Sequence, residues 1–199
     1  MRVLHVTPHL GGGVGTVLRE YFRYEVLGGR RELEVLSLDS VNTQGRELLT
    51  NLGVSWQENA FFQPEALDEA FARADVVLVH WWNHPLLHSL LLNHRFPPAR
   101  IVFWSHISGS PSPNNFNETS LDFPDRFVFT TPLSFYAPEI QRLPSERQRE
   151  FSAIWSTAGV ERLDAYLGAK DGSEKIVGYT GNLDFSKVHA GFLEACVVR

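Results

Sequence analysis

The sequence of 199 residues contains a single cysteine, Cys196, and a single methionine, Met1. One thiol cannot build an internal disulfide framework, so a buried apolar core must hold the fold, and this cysteine usage points to a reducing cytosol. No apolar run approaches the length of a membrane-spanning helix. The opening Met1–Val6 is too short for a signal peptide and soon meets the glycines at 11–13, which makes a cytoplasmic location the expectation. Clustered positive charge is also missing. The formal net charge is −5 and the longest basic feature is the pair Arg30–Arg31, which leaves no footprint for nucleic acid. No basic amphipathic helix supports binding to a membrane surface. Gly-x-Ser-x-Gly is absent, which argues against nucleophile-elbow hydrolysis, and no Gly-Lys-Ser/Thr follows the glycine cluster, so it is not a Walker loop.

What is present is aromatic and regularly patterned. Fourteen Phe and five Trp exclude a disordered chain. Apolar runs at 3–7, 33–38, 53–57, 76–80, 101–104 and 126–129 read as strands. Between them, amphipathic spacing predicts helices over 14–27, 45–52, 64–74 and 85–93. Gly28-Gly29 ends the first of these, and Pro64 and Pro85 open the last two. Strands apolar on both faces, alternating with helices, predict an α/β class: a Rossmann-like parallel sheet with helices on both faces. Ligands of such sheets sit beyond the carboxyl ends of the strands, where strand order reverses. The residues to inspect therefore follow Thr7, Asp39, His80, Trp104 and Phe129.

Several groups there carry chemistry. Gly11-Gly12-Gly13-Val14-Gly15 joins the first strand to the first helix, where backbone amides attract anions and glycines allow close approach. The cluster misses the dinucleotide spacing, because Thr16 and Leu18 stand where a third glycine would be needed. His106 follows the strand 101–104 and opens a Ser/Gly/Pro/Asn segment. It can donate to a substrate hydroxyl or a developing phosphate charge, or be satisfied by a nearby carbonyl. His80, His84 and His88 are spaced by four, but Pro85 forbids one continuous helix, so no metal site is expected from them. His80 ends a strand, and with Trp81, Trp82 and Asn83 it can border the cleft; the tryptophans can stack on a sugar or pack beneath a helix. Glu118, Asp122 and Asp125 read chiefly as solvated loop charges.

The pattern changes after about Leu143. A charged stretch 144–150, an apolar run 151–155 and a helix over 159–170 lead to the linker Lys170-Asp171-Gly172-Ser173. A fresh strand at 175–179, a loop at 181–187 and a helix from 192 then read as the first unit of a second domain. The expected division is 1–170 and 171–199.

Four segments together resemble the GT-B glycosyltransferases of family 4. They are Met1–Pro8 with the Gly12-Gly13-Val14 turn, Ala74–His80 with its Asp-hydrophobic-hydrophobic-His strand, Arg100–His106, and Val177–His189. The resemblance implies two facing Rossmann-like domains, this chain being the acceptor-side half and the start of the donor half. It implies transfer of a sugar from a nucleotide-sugar co-substrate to a sugar, lipid or protein acceptor, with retention and without an obligatory metal or other cofactor. Gly12 and Gly13 would approach donor phosphate or acceptor, His106 would contact the transferred sugar, and Gly181 and Lys187 would approach the diphosphate. Asn182 stands where a basic residue is often found, and the paired-glutamate donor motif would lie beyond Arg199.

Two alternatives belong to other classes. One is a nicotinamide-dependent oxidoreductase or epimerase with Asp39 on a ribose, against which the glycine spacing argues. The other is a non-catalytic carbohydrate-binding protein. Calorimetry of this chain with UDP- or GDP-sugars should show little binding, since half of the phosphate cradle is expected elsewhere. Tight binding would overturn the domain assignment, and enhanced NADH fluorescence on titration would favour the oxidoreductase.

Overall fold

The computed structural model describes residues 1–29, 31–110, 114–154 and 191. The chain divides into a unit Met1–Ala158 and a unit Gly159–Arg199. The expected boundary at 170–171, the helix over 159–170 and the second-domain start lie outside the described residues.

Every apolar run read as a strand up to residue 129 forms one: β1 (Arg2–Thr7), β2 (Glu32–Ser37), β3 (Ser55–Gln57), β4 (Val76–Trp81), β5 (Ile101–Ser105) and β6 (Arg126–Phe129). A short β7 (Ser152–Ala153) lies within the apolar run at 151–155. All pairings are parallel, and the strand order is β3-β2-β1-β4-β5-β6-β7. This is the expected Rossmann-like α/β sheet. The chain travels outward in one direction from β1 to β3, then restarts at β4 on the other side of β1. Strand order thus reverses between β1 and β4.

Alternation along the central strands feeds two cores. Val3, Leu33 and Val35 pack with Leu18, Phe22 and Leu49 on one face. Leu4, Val6, Val77, Val79 and Phe103 pack with Leu67, Phe71, Leu87 and Leu90 on the other. The first face is covered by α1 (Gly12–Gly28) and α2 (Thr43–Asn51), the second by α3 (Pro64–Arg73) and α4 (Pro85–Asn93). Local chemistry sets the helix ends. Gly29 adopts the left-handed conformation after α1, and its amide donates to the carbonyls of Glu25 and Val26. The Asn42 side chain caps α2 by accepting from the Gly45 amide. Pro64 and Pro85 occupy the first turns of α3 and α4, where the missing N–H has no partner to lose.

Beyond β5 the chain is more structured than its polarity suggests. Asn117 and Ser120 form a reciprocal capping box that starts α5 (Glu118–Asp122). A 3-10 turn (Pro132–Tyr136), α6 (Pro138–Gln141) and α7 (Ser145–Gln148) follow β6. Phe116, Phe127, Phe129 and Phe151 stack, tilt or meet edge-on beneath them, with ring centroids 5.3–6.1 Å apart. These one-turn elements are too short for periodicity to reveal; the aromatic cluster orders them.

One glycine lets the start of α1 pack against the turn that follows β1. A Cβ at Gly15 would overlap the backbone carbonyl of Leu10, whereas a Cβ at Gly13 would meet nothing within 4 Å. The first turn of the helix can approach the Leu10 backbone only if residue 15 has no side chain. Gly15→Ala should therefore lower unfolding free energy by about 2–4 kcal/mol, as overpacking against rigid backbone does. Gly13→Ala should stay within about 0.5 kcal/mol. Urea denaturation of both variants checks the contrast.

Candidate functional site

The carboxyl ends of β1, β4 and β5 form one rim at the strand-order reversal, and imidazoles concentrate there. After β1, the Thr7 hydroxyl donates to the His9 carbonyl at 2.9 Å and turns the chain. The Gly11 amide then donates to His9 Nδ1 at 3.1 Å. Gly12 follows with φ +62°, a conformation glycine adopts without strain. After β4, the Leu86 amide donates to His84 Nδ1 at 3.3 Å, so His84 caps α4. His9 and His84 lie edge to face at 5.5 Å, with Trp82 5.4 Å from His9 and 5.9 Å from His84. Because both Nδ1 atoms accept, each neutral ring carries its proton on Nε2.

A second set of imidazoles runs through the sheet. His5 in β1, His80 in β4 and His106 just after β5 are joined by direct hydrogen bonds. His5 Nδ1 lies 2.9 Å from His80 Nε2, and His80 Nδ1 lies 3.0 Å from His106 Nε2. The register explains the line. His5 pairs with Leu78, so His80 is two residues further along on the same face. His80 pairs with Trp104, so His106 is again two residues on. Tyr21 and Phe22 of α1 cover His5, and Trp104 packs beside His80 and His106. His5 and His80 are 0 % exposed, whereas His106 reaches the rim and lies 6.1 Å from Trp82.

Burial sets the charge of these rings. Desolvation lowers the pKa of His5 to about 3, helped by the positive charge of Arg31. Desolvation lowers His106 to about 4. His80 is also driven well down by burial, then by its neighbours His106 and His5. At neutral pH the line is therefore uncharged. His84 is lowered as well, by burial and then His9, against the opposing pull of Asp39.

Sequence reasoning placed Gly12, Gly13, His80 and His106 near one rim, and the fold brings their segments together there. His80 stands behind the rim: both its ring nitrogens are taken, and it communicates with the surface through His106. Trp81 is core, packed on Phe116 and Phe127, whereas Trp82 borders the rim. His9 and the buried His5 were missed. A histidine inside an apolar strand and another after Pro8 were the only signals. The spaced trio disperses into a strand (His80), a cap (His84) and a helix face (His88). Among the charges beyond β5, the Asp125 carboxylate accepts from the Ile101 amide and Asp122 pairs with Arg147; both are structural. Asp39 accepts from the Ser40 amide at the end of β2. Gly181 and Lys187 lie outside the described residues. So do Tyr166 and Lys170, which have the Tyr-x-x-x-Lys spacing that the oxidoreductase or epimerase alternative would use.

Comparison with protein-family models and with curated proteins finds no match. Among solved structures, the fold is similar to a glycosyltransferase from Rickettsia africae ESF-5, with a TM-score of 0.51 and 12% identity. That match covers 77% of this chain and 42% of the Rickettsia chain. Acinetobacter baumannii MurG matches at TM-score 0.46 and 11% identity, over 79% of this chain and 46% of MurG. Anabaena Alr3699/HepE, solved with UDP and glucose, matches at TM-score 0.46 and 16% identity, over 84% of this chain and 50% of HepE. The chain thus spans half the length of these proteins or less. The likeness to the Rickettsia protein is one of fold, and it agrees with the half of a GT-B fold expected from the motifs.

The depressed imidazole pKa values predict a pH-dependent stability. An unfolded histidine binds its proton near pH 6.5, while the folded His5 and His106 resist protonation down to about 3 and 4. Between those limits the unfolded state holds more protons. Stability is therefore full above pH 6.5 and falls as pH drops toward 4, by up to about 1.4 kcal/mol per pH unit for each ring that stays neutral. Urea denaturation at pH 7, 6 and 5 should show the decline, and His106→Asn should make it shallower. Equal slopes in the two proteins would refute the assignment.

Proposed function

We propose that this chain is the acceptor-side half of a glycosyltransferase that moves a sugar from a nucleotide-sugar donor to an acceptor hydroxyl. The observation that carries the reading is a rim of neutral N–H donors at the strand-order reversal of a Rossmann-like sheet. Nε2–H of His9 and of His84 belong to it, as do the amides at the glycine-rich start of α1 that no described residue pairs. Such a rim suits the oxygens of a sugar and of a phosphate leaving group without burying a net charge. The fold shared with the Rickettsia glycosyltransferase supports it.

His106 has a defined part in this scheme. With its pKa lowered to about 4, it is a weak base at neutral pH, so it does not remove the acceptor proton. Its role is to orient the transferred sugar and offset charge as the glycosidic bond to phosphate breaks. Trp82 offers an apolar face to sugar C–H groups. By the family resemblance, Gly181 and Lys187 would approach the donor diphosphate, and the donor nucleotide would sit chiefly on the second half. Neither a metal nor another cofactor enters the proposal, and retention of configuration follows the family resemblance. The acceptor is a sugar, lipid or protein hydroxyl.

Assay of the intact protein against a panel of UDP- and GDP-sugars tests the reading. His106→Ala should lower kcat/KM for transfer by about 10²–10³-fold, the loss typical when one transition-state donor is removed. Trp82→Ala should chiefly raise the acceptor KM. An His106→Ala enzyme with wild-type kcat/KM would remove the basis for the reading.

A further inference from the structure

The line His5–His80–His106 ends blindly. His5 Nε2 is buried and has no hydrogen-bond partner among the described residues. Its ring is covered by Phe22 and Tyr21, at centroid distances of 5.0 and 5.4 Å. At the other end, His106 Nδ1 makes no hydrogen bond to any described residue, while its Nε2 faces His80.

Three neutral imidazoles joined in this way have two self-consistent proton arrangements. In one, His5 Nδ1–H donates to His80 Nε2, His80 Nδ1–H donates to His106 Nε2, and His106 keeps its proton on Nδ1. In the other, every bond is reversed: His106 Nε2–H donates inward, His5 holds a proton on Nε2, and His106 Nδ1 is a bare acceptor. Converting the first into the second moves two inner protons along the line. It also requires one proton to leave His106 Nδ1 and one to arrive at His5 Nε2. The arrival site has no exposed surface, so the line does not conduct protons in the folded protein.

One feature selects between the arrangements. The reversed one strands a buried N–H on His5, and orphaned buried donors are rarer than under-satisfied acceptors.

We propose that His5 and His80 are positioning residues that lock His106 in the neutral tautomer protonated on Nδ1, so that the rim receives a hydrogen-bond donor from this ring and not a base. The inference deepens the glycosyltransferase reading, because it specifies the form in which His106 would meet a sugar or phosphate oxygen. The geometry behind it requires no substrate. A residue two strands away therefore governs which way the surface imidazole can hydrogen-bond.

Long-range ¹H–¹⁵N correlation spectra of the ¹⁵N-histidine-labelled chain, without any sugar or nucleotide, read the tautomer of each ring. In the wild type at neutral pH, His5, His80 and His106 should each show a single Nδ1–H form, whereas His9 and His84 should show Nε2–H. His5→Asn replaces the selecting ring by an amide that can donate or accept toward His80. The sealed-end preference is then lost, and His106 should shift to a mixture containing the Nε2–H form. A wild-type His106 that is mixed or protonated on Nε2 would overturn the proposal, as would a His5→Asn spectrum in which His106 is unchanged. If His5→Asn does not fold, the wild-type spectrum alone decides. A negative transfer assay leaves this result standing, and a failed tautomer prediction leaves the transfer assay unaffected.

Discussion

The rest of the site depends on one constraint: a polar group sealed inside a parallel sheet must find its partner within the sheet. His5 sits on the central strand with no route to water, so its Nδ1 can be satisfied only by a neighbour on the same face. Parallel pairing supplies that neighbour at a diagonal step of two residues, first His80 and then His106. The line of rings thus follows from register. A one-residue slip between β1 and β4 would turn the two rings to opposite faces and strand both in apolar surroundings.

The same burial that forces pairing also discharges the rings. Three adjacent imidazolium ions in a dry interior would repel one another and lose their hydration, so all three remain neutral at ordinary pH. A neutral ring at the rim does different work from a charged one. It can hydrogen-bond directionally without bringing a charge to the rim. The glycines are part of the same geometry, because α1 carries both the rim amides and the Tyr21–Phe22 cover over His5. Gly15 allows the start of that helix to pack against the Leu10 backbone in the turn after β1. Sealing the sheet interior and presenting the rim are two consequences of one helix placement.

Much of the frame was legible in the residues. Runs such as Val76–Val79 and Ile101–Trp104 are apolar on both faces, and only a sheet covered on both sides buries them completely. Pro64, Pro85 and Gly29 marked helix ends because their backbone chemistry leaves few other places for them. The segment from Asn117 to Gln148 was less legible. Its helices are a single turn each, held by the Asn117–Ser120 box and by Phe129 and Phe151 beneath, and a period of 3.6 cannot be seen in four or five residues. The pairing of β7 with β6 was hidden for the same reason.

The sequence by itself determined an α/β sheet of parallel strands and a rim where glycines and His106 would gather. Apolar periodicity and backbone-restricted residues act locally, and local information survives in one dimension. Tertiary structure alone decided that His5 is a hydrogen-bond partner of His80 and His80 of His106, and that His9 and His84 face each other beside Trp82. Those relations join residues up to 75 positions apart through strand order and register. No spacing along the chain encodes them, because the distance that matters is measured across the sheet.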